Sequence, residues 1–132
     1  MNQATFEPVL DHADHSLILA SRVNGTPVFD PAGKRIGHIA DLSIERVSGE
    51  VIYAIMSFGG FLGIGEKYHP LPWSMLDYDP GKGGYVVSLD KAALEAAPHY
   101  ELLELDELGG PGREAYGEQI FGYYSPYGSM PY

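Results

Sequence analysis

Between residues 17 and 98 the chain alternates short apolar runs with glycine-rich turns, and this pattern constrains the fold more than any other feature. From Ile36 to Arg46 apolar and polar side chains alternate, which is the period of a half-buried strand. Val51–Phe58 is apolar on both faces, as in a central strand. Several short strands at a spacing of about 8–12 residues predict a β-barrel or a β-sandwich. On the alternating strand, the predicted inner face carries Ile36, Ala40, Leu42 and Ile44.

The prolines and the caps predict where other elements begin and end. Lys67–Leu76 is a predicted strand at a sheet edge or at a bulge, because Pro70 and Pro72 cannot donate hydrogen bonds to a strand ladder. Asp90 is a predicted N-cap for a short helix over Lys91–Ala97. Further strands are predicted at Pro27–Phe29 and Tyr85–Leu89.

Three blocks of this region, in their order and spacing, resemble the PRC-barrel domain family. They read GKRIGHIADLSIERVSGEVIYAIMSFGG, FLGIGEKYHPLPWSML and YVVSLDKAALEAAP. The resemblance covers residues 17–98 and implies an all-β fold, a small and highly curved β-barrel of about six strands. We expect one short helix after the last strand and an extended C-terminal tail. The predicted organisation is a flexible arm at residues 1–16, the barrel at 17–98 and a C-terminal extension at 99–132. This extension is expected to begin with a short helix over Glu101–Leu108 and to continue as a tail rich in glycine and tyrosine.

The resemblance implies three possible functional settings for the domain. Relatives occur in the photosynthetic reaction-centre H subunit, where the domain assists electron and proton transfer, in ribosome maturation, where it binds a ribosomal protein, and as stand-alone proteins. The family brings no catalytic motif, so we expect no enzyme, no catalytic residue and no cofactor. The resulting hypothesis is a stand-alone bacterial scaffold or protein–protein interaction module. The alternative is an accessory of a membrane electron- or proton-transfer complex.

Charge and composition limit the classes of partner that this chain is expected to bind. The net charge is -10 with eight Lys and Arg residues, and nucleic-acid binding depends on such cations to neutralise phosphates. The sequence therefore disfavours RNA, DNA and anionic membranes as partners. There is no cysteine, the N-terminus shows no signal-peptide pattern, and no apolar run approaches the roughly 20 residues of a membrane span. We expect a cytoplasmic protein without membrane insertion, acting on a protein partner of unknown identity.

Several polar and glycine-rich motifs have structural interpretations that outweigh the chemical ones. Gly59–Gly65 precedes a strand and not a helix, so it is interpreted as a hairpin connection and not as a phosphate loop. Phe61 and Leu62 at its tip either cap the barrel or form an apolar docking patch. His12, Asp14 and His15 are metal-ligand types on a polar arm, and no metal site is predicted there.

The histidines and carboxylates of the predicted strands are also interpreted as structural residues and not as a chemical site. His38 and His69 are interpreted as hydrogen-bonded surface or edge residues. The scattered Asp and Glu residues are interpreted as a solvated face, with a proton relay or acid–base chemistry as the weaker alternatives.

The C-terminal segment Gly109–Tyr132 is rich in aromatic residues, which bring large apolar area and are enriched at protein interfaces. Its glycines and prolines predict an extended path across a surface, either the chain's own barrel or a second subunit. Symmetric dimers are the commonest oligomers, so a homodimer is predicted. The predicted docking residues of this segment are Phe121, Tyr123, Tyr124 and Tyr127.

Overall fold

The computed structural model of the chain describes residues 16–58 and 66–127. Its strands are β1 (Pro27–Phe29), β2 (Arg35–Ile44), β3 (Val51–Phe58), β4 (Lys67–Pro72), β5 (Asp77–Asp79) and β6 (Gly84–Val86). Its α-helices are α1 (Ala20–Val23), α2 (Lys91–Glu95) and α3 (Arg113–Tyr124). More tightly wound 3-10 helices span Trp73–Met75, Leu102–Gly109 and Ser125–Tyr127.

The strands form one sheet in the order β4-β3-β2-β1-β6-β5. Neighbours pair antiparallel except β1 and β6, which run parallel. Six strands were expected, and the described residues contain six. Within those residues β4 and β5 remain the two edges, so the sheet does not close into the highly curved barrel that was predicted.

Strand β2 does not keep one face along its length, which corrects the predicted inner face. Ile36 and Ile39 are buried, whereas Ile44 is 48% exposed. The pairing with β3 shifts register between Ile39 and Asp41 and again between Ser43 and Ile44. Each irregularity adds a residue to one strand and turns the following side chains toward the other face. Because Ile36 and Ile39 are three positions apart and both buried, strict alternation already fails between them.

Strand β3 is the central strand that its composition predicted. It pairs with β2 on one side and β4 on the other. Five consecutive residues from Tyr53 to Ser57 are buried, so both of its faces are covered. Ile55, with 3% of its surface exposed, belongs to the main core cluster.

Strand β4 lies at the sheet edge, as its prolines predicted. Pro70 and Pro72 face Ile55 and Tyr53 of β3 in the pairing register. The predicted strand to Leu76 ends at Pro72, and a 3-10 turn follows. The N-cap prediction is confirmed, because the Asp90 side chain accepts a hydrogen bond from the Ala93 N–H.

The C-terminal segment corrects two expectations. Arg113–Tyr124 is a helix of 12 residues, not an extended tail. With the other helical turns it brings helix content to 33% of the described residues, so the fold is not all-β. A glycine inside a helix costs about 1 kcal/mol, and Gly117 and Gly122 are both accepted here. Tertiary burial outweighs that cost, because Ile120 and Tyr124 of α3 are fully buried against the core.

Candidate functional site

An open groove of about 490 Å³ lies between the β2–β3 strands and the C-terminal helices. Strand residues form one wall, and the other wall comes from the 3-10 helix Leu102–Gly109 and from α3. Its apolar lining consists of Ile44, Ile52, Leu108 and Phe121, and its charged lining of Glu45, Arg46, Asp106, Arg113 and Glu114.

The base of the groove is an aromatic contact between the two walls. The rings of Tyr53 on β3 and Phe121 on α3 lie 5.7 Å apart at 41°. Leu108 is buried beside them, whereas Ile44 is 48% exposed at the rim. Gly117 of α3 also faces this floor, because a Cβ at that position would be in van der Waals contact with the Tyr53 hydroxyl, at 3.6 Å. The groove therefore has a fixed apolar floor and an accessible apolar rim.

The charges on the rim are of both signs. The Glu45 carboxylate accepts hydrogen bonds from the backbone N–H groups of Ser48 at 2.7 Å and Val47 at 3.1 Å. Hydrogen bonds from Ser48, helped by the nearby Arg113 charge, lower the pKa of Glu45. Arg46 and Arg113 are exposed, and within the described residues neither forms an ion pair. The groove thus offers two cations whose charge is available to a partner.

The predicted docking residues separate into different environments. Phe121 lines the groove. Tyr123 donates a hydrogen bond to the Ala93 carbonyl at 2.7 Å, and Tyr127 accepts one through its carbonyl from the Ser88 hydroxyl at 2.7 Å. Tyr124 is fully buried, which raises the pKa of its hydroxyl. These contacts attach the C-terminal segment to its own domain, and Phe121 is the one of the four residues that lines the groove.

The remaining predicted docking residues, Phe61 and Leu62, lie outside the described residues. So do the metal-ligand types His12, Asp14 and His15. Their roles stay predictions.

A second cluster surrounds His69, and its sequence interpretation was wrong in one respect. His69 lies on the edge strand β4 as expected, but it is 2% exposed and not a surface residue. Its ring stacks on Phe58 at 4.7 Å and on His99 at 5.5 Å. Burial, with the His99 and Lys67 charges, lowers the pKa of His69 to about 4. An isolated histidine on an edge strand gives no sequence signal of this burial, because the covering residues follow about 30 positions later in the chain.

The described part of the chain does not offer a metal centre. No group of three or more His, Cys, Asp or Glu residues within it is arranged to hold an ion. Among the same residues, no helix has the length and apolar character needed to cross a membrane.

Comparisons with known proteins show which family the chain belongs to. The PRC-barrel domain matches residues 15–94. No curated protein matches the chain. Among solved structures, the chain is similar to the protein RimM of Pseudomonas aeruginosa, whose name refers to 16S ribosomal RNA processing. The identity is 16%, the TM-score is 0.37, and the match covers 63% of this chain and 50% of that one. The chain thus spans half the length of this structural relative. Since the family match extends over more than half of the sequence, the protein belongs to the PRC-barrel domain family.

Proposed function

We propose that this PRC-barrel protein is a non-enzymatic protein–protein interaction module that binds a segment of another protein in the groove between β2–β3 and α3. The observation that carries the proposal is the combination, in one open groove, of an exposed apolar rim with two arginines free of ion pairs within the described residues. The proposal places the protein in the cytoplasm and assigns it no cofactor.

The apolar part of the groove defines one requirement on the partner. Ile44 stands at the rim of a floor made by Phe121 and Leu108. A single large apolar side chain of a partner would cover this floor and exclude water from it. Such buried anchors account for most of the binding energy in interfaces.

The charged part defines the second requirement. Arg46 and Arg113 are scarce cations on a chain with net charge -10, and arginine is enriched in protein interfaces. Both would pair with a carboxylate of the partner. Asp106 and Glu114 line the same groove and would repel a strongly acidic segment. The partner segment therefore presents one or two carboxylates beside its apolar anchor, and not an acidic run.

The test is affinity capture from the native lysate with three forms of the full chain. The groove form carries Arg46→Glu and Arg113→Glu. The control form carries Lys34→Glu and Lys91→Glu, which make the same change in net charge at exposed positions outside the groove. We expect one protein to be captured by the wild type and the control form and lost by the groove form, with cross-links that map to an apolar residue flanked by carboxylates.

Two results would count against the proposal. Capture of the same proteins by all three forms would remove the groove from the interaction. Cross-links that map to an uncharged segment would contradict the stated chemistry. Recovery of a membrane redox complex through another surface would favour the alternative function, an accessory of electron or proton transfer.

A further inference from the structure

Residues 98–101 form a strap over the free edge of β4. The Tyr68 N–H donates to the Tyr100 carbonyl at 3.1 Å, and the Tyr100 N–H donates to the Tyr68 carbonyl at 2.8 Å. The Tyr100 hydroxyl also donates to the Gln119 side chain of α3 at 2.7 Å. The strap therefore pairs the outward backbone groups of Tyr68, which would otherwise be unpaired at the edge of the sheet.

His69 lies beneath the strap. It is 2% exposed, makes a hydrogen bond with the Pro98 backbone, and stacks on His99 at 5.5 Å. Within the described residues its Nδ1 atom has no hydrogen-bond partner. A buried imidazole with an unpaired nitrogen is tolerated when it is neutral, whereas its protonated form would bury a charge and an unsatisfied donor.

The charged groups around the strap do not offer an acceptor to a protonated His69. Glu66 accepts hydrogen bonds from the hydroxyls of Ser57 and Tyr68. At the start of the following 3-10 helix, the Glu104 carboxylate accepts a hydrogen bond from the Glu101 N–H at 2.8 Å, and both side chains are exposed. The remaining charges on this side come from Lys67 of β4 and His99 of the strap, and both oppose a positive charge on His69.

We propose that the strap is an acid-labile latch: a proton on the buried His69 side chain releases residues 98–101 from β4 and uncovers the edge of the sheet. The released imidazole gains water and separates from His99 and Lys67. The direction follows from linkage, because the pKa of His69 is near 6.5 when exposed and about 4 when the strap is closed. The closed strap has its full stability above the exposed value and loses it as the pH falls toward the closed value.

The experiment is amide hydrogen exchange by NMR on the full chain, from about pH 7.5 to about pH 4.5, with rates corrected for the intrinsic pH dependence. The reporters are the amides of Tyr68 and Tyr100, and the reference is the set of amides in β3. We expect the protection of the reporters to fall below pH 6.5 by up to about tenfold per pH unit, the limit for one proton. The β3 amides should remain more protected than the reporters throughout.

His69→Gln is the matched variant, because glutamine is polar and does not titrate in this range. Its Tyr68 and Tyr100 amides should lose the pH dependence. If this variant does not fold, the imidazole shifts of His69 in the wild type decide the question, and they should titrate well below pH 6.5. Constant protection of Tyr100 across the pH range would overturn the latch. So would exchange of Tyr100 at the rate of β3 at every pH, since the strap would then open only with global unfolding.

Discussion

The Tyr123 hydroxyl of α3 donates a hydrogen bond to the Ala93 carbonyl of α2 at 2.7 Å, and this bond joins the C-terminal helix to the helix that follows the last strand. Between the two residues the chain runs along β4 as the strap and the 3-10 helix Leu102–Gly109. Residues 99–127 of the C-terminal extension are therefore an integral part of the folded domain, which has consequences for their removal.

Removing a buried side chain of α3 should reduce the stability of the protein, because this helix completes the core. Ile120→Ala should lower the free energy of unfolding by about 2–5 kcal/mol, the usual cost of truncating a buried isoleucine. Glu118→Ala, an exposed position of the same helix, is the control and should change it by less than about 0.5 kcal/mol. Urea denaturation measures both. Equal stability of the two variants would mean that α3 does not pack on the core in solution.

A chain ending at Leu108 tests the predicted homodimer together with this packing. We expect that chain to melt at a lower temperature than the full chain, since it lacks both Ile120 and Tyr124. Light scattering on the two chains reports association separately. A dimer that becomes a folded monomer on truncation would support association through the tail. A full chain that is monomeric would contradict it.

The central strand should not tolerate a charge. Ile55→Asp buries a carboxylate among core residues at a cost of several kcal/mol, a large share of a typical stability of about 5–15 kcal/mol. We expect this variant to be unfolded or insoluble. Val47→Asp introduces the same side chain where 92% of the surface is exposed and should leave the melting temperature unchanged. A soluble Ile55→Asp protein with the wild-type melting temperature would contradict the burial of β3.

The close approach of β2 and β3 depends on Gly37. A Cβ at that position would lie 2.6 Å from the Ser57 carbonyl oxygen and 2.7 Å from the Met56 methyl carbon. Gly37→Ala should therefore destabilise the protein by about 1–3 kcal/mol through overpacking. Gly109→Ala adds the same methyl group where no atom lies within 4 Å and serves as the control. Thermal denaturation distinguishes them, and a neutral Gly37→Ala would show that the strands are farther apart than described.

The purified protein should not retard RNA or DNA in a gel at physiological salt. Its net charge of -10 leaves few cations to displace counterions from phosphates. A salt-dependent shift at micromolar protein would contradict this expectation and would argue for a role on RNA.

The sequence predicted the strands better than the faces and the C-terminal segment. The sequence predicted Val51–Phe58 with its observed boundaries, because an apolar run rich in β-branched and aromatic residues strongly favours a buried strand. The exposure of Ile44 was missed because register shifts depend on pairing with β3, and a single-strand pattern does not contain that information. Helix α3 was missed because its glycines and aromatic residues carry little local preference for a helix, and burial of Ile120 and Tyr124 stabilises it instead. The same helix forms part of one wall of the groove, so the groove could not be predicted without it. Among the residues that line the groove, only Phe121 was a predicted site residue.

The most direct measurement of the central claim is photo-cross-linking from inside the groove. A benzophenone amino acid replaces Ile44 at the exposed rim in one full-length chain, and exposed Lys91 of α2, outside the groove, in another. In native lysate, position 44 should give one dominant protein adduct that disappears when Arg46→Glu and Arg113→Glu are added, and position 91 should not give it. Equal adducts from both positions, or an adduct from position 44 that survives the arginine substitutions, would contradict the assignment of the groove as the binding site.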